Sequence, residues 1–138
     1  MSRRNISSGG PWETTIGYSR AVRVGDHIFV AGTTSTNADG TVSGVGDPAT
    51  QVRRCFEIIA AALAEAGATL DDVVRSRMFV TDISRWEEYG RAHGEVFAAI
   101  RPAATMVEVA ALISPEHMVE IEVDAVIGEG PIQNRLTT

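Results

Sequence analysis

The sequence holds a single cysteine, Cys55, so it can form no internal disulfide and offers no CxxC pair for zinc or thiol redox chemistry. It has no apolar run near the roughly 18 residues that a membrane span requires. The start, Met1-Ser-Arg-Arg-Asn-Ile-Ser-Ser-Gly-Gly, has a basic pair with no apolar stretch behind it and does not read as a secretory signal. A reducing cytoplasm is the expected setting. Basic excess is lacking too: 12 Lys+Arg face 18 Asp+Glu, a net charge of −6, which disfavours nucleic acid as a partner. The glycines form neither GxGxxG nor a P-loop, since Gly44-Val-Gly46 has no third glycine and no strong strand before it.

What remains is ordinary globular material. The 138 residues are 44% hydrophobic, enough for one domain that buries roughly two thirds of its unfolded surface. No internal repeat or mid-chain linker divides it. The domain spans 1–138, with a core over about 12–127, a loose polar leader at 1–11 and a tail at 128–138.

Arg20–Val24 and His27–Gly32 are β-prone runs joined by Gly25-Asp26, a two-residue hairpin loop. A helix follows, with Asp47 as cap, Pro48 in its first turn and Gly67 at its end; Val52, Phe56, Ile59 and Leu63 form its apolar stripe. Val73–Val80 alternates, with Val74, Ser76, Met78 and Val80 on one side and Arg75, Arg77 and Phe79 on the other. Ser84-Arg-Trp-Glu87 fits a capping box for a second helix that carries Trp86, Tyr89, His93, Val96, Phe97 and Ile100 on one side and stops at Pro102. Thr105–Ala110 and Met118–Ile127 are the last strands. The order β-β-α-β-α-β-β predicts an α+β two-layer sandwich, a mixed sheet with two helices on one face.

The sheet's second face then carries Arg75 and Arg77 on one strand and Glu120, Glu122 and Asp124 on another. Cross-strand ion pairs on a solvated face and burial against another subunit both fit that pattern. Glu120 is the leading candidate for chemistry, because a carboxylate on a strand face with apolar neighbours is placed for proton transfer; the alternative is one rung of a structural charge ladder. His93, among apolar residues, reads as a core histidine and Cys55 as an inert packing thiol. The three histidines have no metal-ligand spacing, and no metal site is expected. Tyr18, Thr33, Thr34 and Arg101 are each able to donate to a small ligand.

Several stretches together resemble the RidA/YjgF family, the enamine/imine deaminase and endoribonuclease L-PSP-like proteins. They are Gly17-Tyr-Ser-Arg-Ala21, Ile28-Phe-Val-Ala-Gly32, Leu63-Ala-Glu-Ala-Gly67, Asp72-Val-Val, Phe79-Val-Thr-Asp82, Arg101-Pro-Ala-Ala-Thr-Met-Val-Glu-Val109 and Val119-Glu-Ile-Glu122. The resemblance implies a homotrimer with ligand pockets in the clefts between subunits, and therefore an interface on the second face. It also implies hydrolysis of small enamines and imines to 2-keto acids and ammonia, without metal or cofactor. The family's glutamate matches Glu120, which positions or activates water, and its first-loop ring matches Tyr18.

The family's carboxylate-clamping arginine has no counterpart. It follows Pro-Ala directly in the deaminases, and here Pro102-Ala103 is followed by Ala104. Gly90, Met106 and Thr33 are further departures, so the chain resembles an arginine-lacking branch. Arg101 is the candidate to supply the missing charge, with Thr33 and Tyr18 orienting the ligand. A non-catalytic ligand-binding or interaction protein on the same trimer is the alternative, and ribonuclease activity fits the charge least.

Overall fold

A computed structural model describes residues 2–131. The strands are β1 (Arg3–Ile6), β2 (Ala21–Val24), β3 (His27–Thr33), β4 (Val73–Val80), β5 (Ala103–Glu108) and β6 (Val119–Val126); the helices are α1 (Pro48–Ala66) and α2 (Trp86–Phe97). They form one six-stranded mixed sheet in the order β1-β2-β3-β6-β4-β5. Only β4 and β5 are parallel, joined through α2; every other pair is antiparallel. Helix α1 packs on β1, β2, β3 and β6, and α2 lies against α1.

The hairpin turns as its loop residues require. Gly25 has φ 59° and Asp26 does not share the positive sign, the pattern of a type II′ turn. Helix α1 begins where Asp47 accepts from the Thr50 backbone N–H at 3.2 Å and ends where Gly67, at φ 93°, donates to Ala64. Its buried stripe of Val52, Cys55, Phe56, Ile59 and Leu63 meets Ala21, Ile28, Val30, Val119, Ile121 and Val123 from the sheet. The period-2 alternation of β6 is complete: Val119, Ile121, Val123 and Ala125 are buried and Glu120, Glu122 and Asp124 stand on the open face.

Four local expectations are corrected. Residues 3–6 of the expected loose leader form β1, pairing Arg3–Ile6 with Ala21–Val24 and burying Ile6 to 5% exposure; four residues were too short for a periodic signal. Ser84 does not cap the second helix: Asp82 caps a 3-10 turn, Ile83–Arg85, that leads into α2, whose own N-cap Arg85 makes no side-chain cap bond. The Asp82 carboxylate accepts from the Ser84 N–H and from Ser84 Oγ, so the serine hydroxyl is spent as a donor, and Trp86 is left 56% exposed. In β4 a bulge between Val73 and Arg75 buries Val73 and turns Val74 outward, shifting the phase of the alternation. Strand β5 starts two residues before the expected Thr105 because it pairs from Ala103 onward with Arg75 onward. Of the expected tail, Gly128 donates to Asp72 at 3.2 Å, and residues 132–138 lie outside the described residues.

The leader is therefore part of the core. Ile6→Ala should lower the unfolding free energy by about 2 kcal/mol, read as a shift in urea midpoint with unchanged slope; a shift within error would show that β1 does not contribute.

Candidate functional site

Cross-strand register builds the open face in rows. Phe29, Asp124, Arg75 and Ala103 make one, Glu122, Arg77 and Thr105 the next, and Glu120, Phe79 and Val107 the last. Arg77 Nη1 reaches Glu122 at 3.2 Å and Asp124 at 3.5 Å, and Arg75 lies 3.9 Å from Asp124. These half-exposed pairs are worth about 1 kcal/mol or less, but they neutralise two of the three carboxylates. Glu120 has neither an ion pair nor a hydrogen bond among the described residues. Its neighbours along the row are the apolar Phe79 and Val107.

Room for Glu120 comes from Gly32. The ladder between β3 and β6 shifts between Val30 and Thr33, and a Cβ at position 32 would fall 2.5 Å from Glu120 Oε2. The glycine is thus required by close approach of a side chain, not by its own φ. From the other side Arg20 Nη2 donates to the Gly32 carbonyl at 2.6 Å, closing the edge that β2 leaves unpaired. Both charged heads therefore meet at one glycine, within about 8 Å of each other. Arg20 was overlooked in the sequence, where nothing distinguishes it from the other arginines; its signal is the bulge, which only the register reveals.

Other candidates are placed differently. Tyr18 is 42% exposed and lines an open groove of about 550 Å³ with Val22, Phe29, Ala31, Glu122 and Asp124, beside Glu120's row. Thr33 is only 1% exposed; its hydroxyl donates to Ala31 at 2.9 Å and its carbonyl accepts from Cys55 Sγ, so it builds the bulge and does not face a ligand. Arg101, four residues beyond the end of α2, has a left-handed φ of 56° and donates its N–H to the Phe97 carbonyl at 2.8 Å. It lies near Val73 and Ala103, about 20 Å along the strand direction from Glu120, and does not supply the missing charge within the chain. Ala104 pairs with Ser76 on β5, two strands from β6 and on the helix side of the sheet.

The two packing assignments agree with the structure. Cys55 is buried, and burial together with the field of Glu120 pushes its thiol up to about 12. His93 shares a 2.8 Å hydrogen bond with Ser76 Oγ and packs on Phe56 and Phe97; burial lowers it below the ordinary histidine value. Among the described residues no group of three or more His, Cys, Asp or Glu is arranged to hold a metal ion, and no helix is long and apolar enough to cross a membrane.

The family model for Endoribonuclease L-PSP matches residues 11–127. The chain belongs to that family. It is 38% identical over 125 residues to an uncharacterized protein of Streptomyces coelicolor, covering 91% of this chain and 92% of that one. Among solved structures it is similar to Mycobacterium tuberculosis Rv2704, a member of the highly conserved YjgF/YER057c/UK114 family, at 51% identity and a TM-score of 0.82, over 91% of this chain and all of that one. A Yersinia pestis protein of the conserved Rid family, YyfA, matches at 30% identity with a TM-score of 0.78, over 91% and 100%. The α+β sandwich described above is therefore that of the YjgF/Rid fold.

Two outcomes test this geometry. Gly32→Ala should displace the Glu120 carboxylate and leave folding intact, visible as loss of ligand-dependent shifts with an unchanged melting point; retained shifts would show that position 32 is not limiting. Because the folded state holds His93 below its ordinary value, it favours the neutral ring, so this part of the stability is present above about pH 6.5 and is lost as pH falls. His93→Gln should flatten the stability profile below that pH, measured by urea unfolding; an unchanged slope would refute the assignment.

Proposed function

We propose that this YjgF/Rid protein is a cofactor-independent hydrolase of small reactive imines and enamines, acting as a homotrimer in which a second copy completes each cleft. Glu120 is the base. An enamine first tautomerises to its imine. The Glu120 carboxylate then takes a proton from water as the hydroxide adds to the C=N carbon, and returns that proton to the nitrogen. The carbinolamine collapses to a carbonyl compound as its hydroxyl proton passes to the departing ammonia. Tyr18 orients the ligand from the adjoining groove.

One observation carries the reading. Of three carboxylates on one strand face, Glu122 and Asp124 are neutralised by arginines, whereas Glu120 is left without a charge partner among the described residues and is given space by Gly32. A structural ladder would pair all three. The trimer is supported by the uncovered sheet face, where Phe29 and Val107 stay exposed, and by the position of Ala104, which one chain alone does not bring to Glu120. A net charge of −6 supports no ribonuclease reading.

Ala104 favours a second reading, a ligand-binding protein that has given up the chemistry. Ammonia release from imines generated in situ separates the two. For the hydrolase, Glu120→Gln should lower kcat by about a hundredfold or more with the fold retained. Unchanged turnover in that variant would refute Glu120 as base. No turnover by the wild type on a panel of imines, with a ligand still bound, would establish the second reading.

A further inference from the structure

The site must hold a ligand without a guanidinium at position 104, and a line of side chains beside Glu120 offers a different anchor. His117 is 8% exposed and lies in the segment just before β6, three residues ahead of Glu120. Its Nε2 is 3.0 Å from Thr36 Oγ1, and Thr36 Oγ1 is 2.8 Å from Thr34 Oγ1. Its Nδ1 is buried without a hydrogen-bond partner. Thr34 follows Thr33, whose partner on β6 is Ile121, so the antiparallel register carries Thr34 toward Glu120 and onto the open face.

The orphaned nitrogen sets the direction of this chain. A buried N–H without an acceptor is the rarer and costlier defect than a lone pair without a donor. The neutral ring therefore keeps its proton on Nε2 and donates to Thr36. That leaves the Thr36 hydroxyl able to donate to Thr34, and in that arrangement the Thr34 O–H donates outward. A protonated ring imposes the same direction, because Nε2 then carries hydrogen in any case.

We infer that Thr34 is a hydrogen-bond donor subsite, with Thr36 and His117 as its positioning residues, and that the ligand it takes bears an uncharged carbonyl oxygen beside the reacting carbon rather than a carboxylate. This rests on Glu120 marking the ligand site. A carboxylate there would face Glu120 with Arg75 and Arg77 already committed to Asp124 and Glu122, with Arg20 held on the Gly32 carbonyl at 2.6 Å, and with Arg101 at the other end of the strands. A neutral carbonyl meets no such repulsion and is satisfied by one hydroxyl.

Pyruvamide and pyruvate, the neutral and charged forms of one skeleton, are the probes, with binding followed by NMR titration of the whole protein. Pyruvamide should bind about tenfold or more tighter than pyruvate. Thr34→Val, which keeps the branched shape, should abolish that advantage. His117→Gln should weaken pyruvamide severalfold, and the double variant should be no weaker than Thr34→Val alone, because His117 acts through Thr34. Equal or tighter pyruvate binding, additive losses, or no binding of either probe would overturn the inference. Should His117→Gln fail to fold, the comparison of Thr34→Val with the wild type still decides it. Binding is read without turnover, so a protein that binds pyruvamide through Thr34 and hydrolyses no imine would refute the hydrolase and leave the subsite standing.

Discussion

Everything in this molecule depends on β6 being locked in register between β3 and β4. Its period of two sends Val119, Ile121, Val123 and Ala125 into the core and Glu120, Glu122 and Asp124 to the open face. A slip of one residue would bury three carboxylates and expose four apolar side chains, at a cost far beyond the marginal stability of a domain this size. Fidelity of the site is thus enforced by the core on the other side of the same strand. The charge pairs to Arg75 and Arg77 add little energy, but they leave one carboxylate distinguishable from its neighbours.

Much of this was legible in the residues. Caps at Asp47 and Gly67, the Gly25-Asp26 turn and the alternation over Val119–Val126 are local signals, and each emerged as the pattern implies. What escaped were features that depend on a partner strand. Strand β1 is made by pairing with β2, and the phase of β4 by a bulge against β6. Likewise, Thr33 looked like a ligand donor in isolation, yet the β3 bulge turns its hydroxyl back on Ala31. Arg101 and Ala104 illustrate the same limit, since closeness in sequence says nothing about which end or face of a sheet a residue occupies.

Membership in the YjgF/Rid family fixes the scaffold and leaves the ligand open. The family's carboxylate clamp needs an arginine where this chain has Ala104, and the structure does not bring another guanidinium into its place from Arg101. Arg20 does approach Glu120, but its contact to the Gly32 carbonyl serves the open edge of β3. The proposed site is a carboxylate with apolar and hydroxyl neighbours and one guanidinium bound to backbone, a setting suited to selection by shape and neutral hydrogen bonding.

The place of β6 in the chain has a consequence for biosynthesis. Strands β3 and β4 are not neighbours in the finished sheet; they are joined only through β6, which among the described residues follows every other strand. Until it docks, the hairpin and its helix form one half and β4 with β5 another, with long-range pairing still to be made. Glu120 arrives on that strand. No fragment that stops before β6 can possess the candidate site, so the completed core and the proposed base arrive in the same event.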